Sequence, residues 1–495
     1  MSEFYGIDLG TTYSCIATID SDDMVTVIPN TLTGSLTTPS VVAFDDEGKL
    51  LVGKAAKNNL GNKPENTIAL IKREMSNKDY SRTIFGKTYD PVEISSYILK
   101  YLVDFANQKR KDEEGKDPIY DVVITVPAYF GQLERDRTEA AGRKAGLNVL
   151  QLINEPTAAA LSYGRKQQAN KKMLVYDLGG GTFDVSILEI KNGIMNTLAT
   201  TGDHHLGGAD WDRTIIDFAL EKIGTSYDKL TAQEQGMMML AAEDCKQTLT
   251  SQDKATLQFA YKGIKNVDIT RQEFESMTAS LMERTMLLVD EAFDLANMSL
   301  GDIDEVVMVG GSSRMPMVKA AVKAKLKKEP KLIDPDLAVA KGAALTAAQN
   351  AKGDVRGAIL MGTDKGSRAY GMATYLIKEE NNIQKEYHCV CNLIMRNDDL
   401  VVHKEFDNFK TKSEGQTRVD FHFYENESTE DYIDINPDQE LKGRNDFIDW
   451  GRPAPKGTPI KIIVDRDVSG TIKVFAECKG AKGEFVIVSQ GCETR

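Results

Sequence analysis

The sequence predicts an α/β region built of two similar halves, followed by an all-β domain. Residues 1 to about 356 alternate strand-like and helix-like segments, the pattern of an α/β architecture. A glycine-tipped strand–turn–strand unit occurs twice within that region. From about residue 367 to 495, alternating runs such as Arg418-Val419-Asp420-Phe421-His422-Phe423 and Ile460-Lys461-Ile462-Ile463-Val464 stand between turn residues, as in an all-β domain.

In chain order, the first unit is Asp8-Leu9-Gly10-Thr11-Thr12, which leads into Ser14-Cys15-Ile16-Ala17-Thr18-Ile19. The second is Asp177-Leu178-Gly179-Gly180-Gly181-Thr182, entered from Met173-Leu174-Val175-Tyr176 and left through Val185-Ser186-Ile187-Leu188. Each reads as a β-hairpin whose tip carries small and hydroxylated residues. A second echo follows each hairpin. The strand Asp121–Val126 precedes a helical pattern after Phe130, and Glu305–Val309 precedes one after Met315. Two such halves imply two lobes facing a cleft. Between the α/β region and the all-β domain, glycines and charges flank the apolar patch Ala358-Ile359-Leu360-Met361. Residues 357–366 are therefore predicted to be a linker able to dock on an apolar surface.

The 495 residues suffice for about three or four ordinary domains, and 41% apolar residues allow large cores. The net charge of -13 argues against general binding to nucleic acid or acidic membranes. The N-terminus has no basic segment followed by an apolar run, and no apolar stretch approaches the length of a membrane span. Six cysteines are too sparse for a disulfide framework and fit a reducing cytoplasm. Cys389 and Cys391 would share one strand face, but a metal site needs a second pair and none is visible.

Glycine-rich turns expose backbone N–H groups that can cradle phosphate oxygens, and a Cβ would hold a phosphate off. Asp8 and Asp177 stand at the mouths of the two turns. Carboxylates beside a polyphosphate require a divalent cation between them, and Mg²⁺ keeps much of its water. Thr11, Thr12 and Thr182 add hydroxyls, and Lys72, on a helical stretch predicted from Ile68 to Met75, can stabilise phosphate charge. Gly310-Gly311-Ser312-Ser313-Arg314 ends a strand and opens a helix, a place for a ribose or phosphate. A helix over 233–249 puts Glu243, Lys246 and Gln247 on one face, where an exposed surface pair is the plain alternative. Other phosphate motifs fail: Ser81 replaces the first glycine a P-loop ending in Gly86-Lys87-Thr88 would need, and Asp184 replaces the third of a dinucleotide fingerprint.

Gly6-Ile7-Asp8-Leu9-Gly10-Thr11-Thr12-Tyr13-Ser14-Cys15, Ile153-Asn154-Glu155-Pro156-Thr157-Ala158-Ala159-Ala160, Asp177-Leu178-Gly179-Gly180-Gly181-Thr182-Phe183-Asp184 and Val309-Gly310-Gly311-Ser312-Ser313-Arg314-Met315-Pro316 resemble the signatures of the seventy-kilodalton heat-shock chaperones. The resemblance runs from residue 3 to about 350. It implies an actin-like two-lobed ATPase domain (a duplicated ribonuclease H-like fold) over 1–356, and a β-sandwich peptide-binding domain over 367–495. It assigns Asp8, Thr11, Thr12 and Tyr13 with Gly10 to the first phosphate loop, and Gly179, Gly180, Gly181 and Thr182 with Asp184 to the second. Lys72 assists hydrolysis, and Glu155 and Asp177 order magnesium and the attacking water. Asp8, Asp177 and Glu155 hold Mg²⁺ through water, with K⁺ as a further ion. Gly207, Gly208, Glu243, Lys246, Gly310, Gly311, Ser312, Arg314 and Asp336 fall to the nucleotide pocket, and Pro127 and Arg135 to a relay toward the linker. In the all-β region, Leu393-Ile394-Met395-Arg396-Asn397, Gly415-Gln416-Thr417 and Pro453-Ala454-Pro455-Lys456-Gly457-Thr458-Pro459 carry a weaker match. Phe409 and Val419 fall near its apolar peptide groove, though plain core is an equal reading of both.

The implied function is an ATP-dependent chaperone for unfolded or extended polypeptides, active in stress response and protein folding. It would be monomeric and cytoplasmic, with J-domain co-chaperones and a nucleotide exchange factor as partners. The sequence departs from the family in four places. It ends at Arg495, soon after the last sandwich strand, so the helical lid is expected to be missing and peptide release fast. Gln247 replaces an adenine-stacking arginine, which lowers the expected nucleotide affinity by about 1 kcal/mol. Gln151 replaces a basic residue, and Gly362 replaces the linker's usual aspartate. Both lie where J-domain proteins dock, so altered stimulation is expected. Two other functions fit parts of the pattern. A small-molecule kinase on the same fold would not need the all-β domain. A nucleotide-regulated binding or co-chaperone module with low turnover would not need Lys72, Glu155, Asp177 and Thr182 together.

Overall fold

The computed structural model describes residues 4–20, 22–164, 170–353, 355, 358–380, 383–441, 447–467 and 470–487. The chain forms two compact units, Met1–Ala128 with Thr138–Gly362, and Tyr129–Arg137 with Thr363–Arg495.

The first unit contains the same sheet twice. In the first half the strand order is Asn148–Asn154, Asp121–Val126, Tyr5–Asp8, Tyr13–Ile19, Val25–Val27. In the second it is Lys331–Leu332, Glu305–Val309, Lys171–Leu178, Phe183–Lys191, Ile194–Asp203. Both run parallel on one side of the central strand and antiparallel on the other. The two glycine turns thus occupy equivalent positions, and Asp8 and Asp177 come at the ends of equivalent strands. Met173 through Leu178 are almost wholly buried, as expected of a central strand covered on both faces.

Small residues let helices approach closely. Helix Ala338–Lys352 carries Gly342, Ala343, Ala344 and Ala347, all buried. A Cβ on Gly342 would stand 1.8 Å from the Ala158 carbonyl oxygen of helix Glu155–Gly164, and one on Gly6 would stand 2.0 Å from the Ala344 nitrogen. The predicted helix over 233–249 runs from Ala232 to Ser251. It starts in a capping box: the Glu234 N–H donates to Thr231 Oγ1 at 3.2 Å, and Thr231 N–H donates to Glu234 Oε2 at 2.8 Å.

The structure corrects several local expectations. Lys72 does not sit on a helix from Ile68 to Met75. Thr67–Ile68 is a strand paired with Val42–Ala43, Leu70 takes a left-handed backbone, and a 3₁₀ turn Ile71–Glu74 follows. Gly311–Arg314 forms a 3₁₀ turn, and the helix expected after Met315 runs from Pro316 to Leu326. In the all-β unit, the run from Arg418 to Phe423 is divided between the strands Gln416–Asp420 and Phe423–Asn426.

The apolar patch of the predicted linker lies within the first unit. Leu360–Met361 adds a strand in parallel to Ile194–Met195, and Ile359 is buried in the core beneath. Of the predicted linker, position 357 lies outside the described residues.

The second unit is all antiparallel. A five-stranded and a four-stranded sheet share one apolar core that includes Tyr370, Leu393, Phe409, Trp450, Ile462 and Val474. The described cysteines are unpaired and buried. Among the described residues no helix is long and apolar enough to cross a membrane.

Candidate functional site

Between the two halves of the first unit lies a cleft of about 560 Å³, lined by both glycine turns. The turns touch at their tips. A Cβ on Gly180 would stand 1.8 Å from Thr12 Oγ1, and one on Gly181 would stand 2.3 Å from Thr11 Cγ2. No side chain fits at either position without pushing the opposite turn away. Gly310 packs behind them with a positive φ of 80°, and a Cβ there would stand 2.5 Å from Asp177 Oδ1.

Asp8, Lys72, Glu155 and Asp177 line the cleft; Lys72, Glu155 and Asp177 are buried and Asp8 is half-buried. Lys72 Nζ donates to Glu155 Oε1 at 2.5 Å, and Thr125 Oγ1 donates to Asp8 Oδ1 at 3.4 Å. Burial and the negative charge of Glu155 push the Asp8 carboxyl up to about 7, against the pull of Lys72. Asp177 is held well above the usual carboxylate range by burial and by Glu155, Asp184 and Asp8. Three carboxylates thus share one ammonium, a deficit of positive charge that suits a divalent cation. Among the described residues no three acidic, His or Cys side chains form a ready-made metal cage. That donor set fits an ion which keeps most of its water, as Mg²⁺ does.

The far end of the cleft is built from three segments. Arg314 makes a two-pronged pair with Asp336, at 2.9 and 2.6 Å. Lys246 Nζ donates to the Gly208 carbonyl and to Asp212 Oδ2, each at 2.8 Å. Gln247 Nε2 donates to Glu243 Oε1 at 3.3 Å. The mouth is bridged from the first half: Lys57 Nζ donates to Glu243 Oε2 at 2.6 Å and to Tyr13 Oη at 2.8 Å, and Tyr13 Oη donates to Glu243 Oε1 at 3.1 Å.

A family model for Hsp70 proteins matches residues 4–494. The chain belongs to the Hsp70 family. Hsp70 proteins are ATP-dependent chaperones with a two-lobed actin-like ATPase and a β-sandwich. They bind ATP with Mg²⁺, take unfolded polypeptides as clients, and work with J-domain and exchange co-chaperones.

Of the residues the resemblance to Hsp70 signatures selects, Asp8, Gly10, Thr11, Thr12, Tyr13, Lys72, Glu155, Asp177, Gly179, Gly180, Thr182, Glu243, Lys246, Gly310, Gly311, Ser312, Arg314 and Asp336 line the cleft. Gly181, Asp184, Gly207 and Gly208 stand one layer behind it. Asp184 is the strand partner of Asp177, and a Cβ on Gly207 would stand 2.6 Å from the Gly181 backbone. Pro127 and Arg135 do not line the cleft. Phe409 lies in the apolar core of the all-β unit, and Val419 packs against that core. Sequence reasoning missed Lys57, Arg73, Thr125 and Asp212. None belongs to a glycine signature, so no local pattern marks them.

Proposed function

We propose that this chain binds Mg-ATP between its two glycine turns, hydrolyses it, and uses the nucleotide state to control binding of extended apolar peptide by the all-β unit. One observation carries the reading. Two interlocked glycine tips from equivalent hairpins border a single cleft holding Asp8, Lys72, Glu155 and Asp177.

In this reading the turn amides take the phosphate oxygens. Lys72 stabilises charge on the transferring phosphate while Glu155, 2.5 Å away, fixes the ammonium. Thr182 and the carboxylates of Glu155 and Asp177 orient the attacking water. A Mg²⁺ ion held mainly through water by Asp8, Asp177 and Glu155 would neutralise phosphate charge. The added strand Leu360–Met361 supports nucleotide coupling, because it ties the segment preceding the all-β unit to the second half's sheet. Phe409 and Val419 are proposed to face the client once peptide adds as a strand.

Two departures from the family support altered J-domain stimulation. Gln151 is buried, and its carbonyl accepts from Asn350 Nδ2 at 2.7 Å, so it offers no cation at the surface. A Cβ on Gly362 would stand 2.2 Å from Asn196 Oδ1, so an aspartate just after the seated strand would have to push the Asn196 side chain aside. An ATPase assay with several J-domain proteins tests this, and ordinary stimulation would refute it. The main reading is tested by fluorescence anisotropy of a short apolar peptide. Affinity is expected to be lower with ATP than with ADP, and equal affinity in both would break the coupling.

A further inference from the structure

The turn Gly179–Gly181 has every one of its carbonyls occupied from outside. The Gly179 oxygen accepts from the Gly208 N–H and from Ser312 Oγ, both at 2.9 Å. The Gly180 oxygen accepts from the Ala209 N–H at 2.8 Å. These donors all belong to the second half. The Gly181 oxygen accepts from Arg73 Nε at 3.0 Å, and Arg73 comes from the first half.

Arg73 is itself held. Its two terminal nitrogens donate to the two carboxylate oxygens of Asp210, at 3.1 and 2.5 Å, a two-pronged geometry that fixes the guanidinium plane. Asp210 Oδ2 in turn accepts from the Gly207 N–H at 2.8 Å, at the start of helix Gly208–Lys222. Only 14% of the Arg73 side chain is exposed. Arg73 directly follows Lys72 on the same 3₁₀ turn, so one short segment delivers a lysine to the cleft and an arginine to the back of the phosphate turn.

We infer that Arg73 is a positioning residue for the second phosphate turn, one that sets the Gly181–Thr182 peptide only while the two halves are closed. The physical link is peptide planarity. In a trans peptide the carbonyl and the following N–H point to opposite sides. Drawing the Gly181 oxygen toward Arg73 turns the Thr182 N–H the other way, and Thr182 lines the cleft. The same guanidinium ties the first half to Asp210 of the second. Opening the cleft releases this peptide, and phosphate binding is thereby coupled to closure through a residue that does not line the cleft.

The inference rests on the cleft being an ATP site, and its test separates the two. Binding of Mg-ATP and of adenosine is measured by calorimetry for the full chain, Arg73→Gln and Arg73→Lys, with nucleotide-free melting curves for each. Arg73→Gln is expected to weaken Mg-ATP by roughly tenfold, as for one charge-assisted hydrogen bond, and to leave adenosine unchanged. KM for ATP should rise by more than kcat falls, because Lys72 and Glu155 are untouched and only the Thr182 peptide is loosened. Arg73→Lys should fall between, since an ammonium cannot serve both acceptors in one plane. Equal losses for Mg-ATP and adenosine in Arg73→Lys, or no loss of Mg-ATP, would overturn the role of Arg73 alone. Wild-type protein that ignores Mg-ATP would overturn the underlying reading with it.

Discussion

The two halves of the first unit share strand order and direction, yet their glycine turns are secured differently. The first turn is tied from within its own half: the Gly10 N–H donates to Ser14 Oγ at 3.2 Å, and the Ser40 N–H donates to the Thr12 oxygen at 2.8 Å. The second is tied by the helix behind it and, across the cleft, by Arg73. Repetition of a fold therefore supplies two facing turns, but closure is recorded by one of them. The first half lines the cleft with Asp8, Lys72 and Glu155, and the second with Asp177, Thr182 and most of the remaining wall.

The largest expected effect isolates the first half. Lys72→Ala should lower single-turnover ATP hydrolysis by roughly a hundredfold or more while Mg-ATP still binds. A rate equal to wild type would remove Lys72 from the chemistry. A paired glycine experiment then contrasts the turns. On Gly10 a Cβ would stand 1.9 Å from the oxygen of Tyr13 in its own turn, whereas on Gly180 it meets Thr12 of the other half. Gly10→Ala should therefore lower the melting temperature, and Gly180→Ala should instead weaken Mg-ATP by about tenfold with little change in melting. Identical behaviour of the two variants would mean that the turns are not secured in different ways.

Smaller effects are expected at the mouth. Lys57→Ala removes the bridge to Glu243 and Tyr13, and should speed nucleotide release severalfold in a stopped-flow displacement assay without altering the hydrolysis step. Unchanged release would make the bridge a closed-state bystander.

The smallest effect compares the equivalent strands Asp121–Val126 and Glu305–Val309. Asp121 accepts from Asn148, while Glu305 gathers Tyr163, Lys171 and Lys331. Hydrogen bonds from Lys171, Lys331 and Tyr163 outweigh burial and hold the Glu305 carboxyl down at about 2. A carboxyl lowered in the folded state stabilises fully above its ordinary value near 4.5, and that contribution is lost as pH falls from there toward 2. Glu305→Gln should flatten part of the fall in melting temperature over that window, and an unchanged pH profile would remove Glu305 from the acid response.

Much of the site was legible because its motifs are local. Asp8 with Gly10 to Thr12, and Asp177 with Gly179 to Thr182, stand in unbroken runs whose residue types already answer to phosphate chemistry. Lys57, Arg73 and Asp212 were not legible, since their meaning depends on partners far along the chain. Lys57 and Glu243 are 186 residues apart, and Arg73 and Asp210 are 137 apart. A lone charged residue on a short helix or turn carries no sign of such a partner. The helix expected around Lys72 failed for a related reason. The pairing of Thr67–Ile68 with a remote strand outweighed the local helical preference of the segment. Phe409 shows the reverse limit: the resemblance placed it near a groove, but strand period alone cannot separate a groove position from the core in which it lies.

By itself, then, the sequence determined the duplicated α/β region, the all-β region after it, the identity of the two phosphate-type turns and the family. Each of these is encoded in short-range pattern, where glycine, apolar period and turn chemistry act within a few residues. Only the tertiary structure decided which charges face one another across the cleft, that the two tips meet within a methyl group's reach, and that Arg73 stands behind the second turn. Those depend on packing between segments remote in sequence, and their consequences follow from burial, which raises the cost of an unpartnered charge.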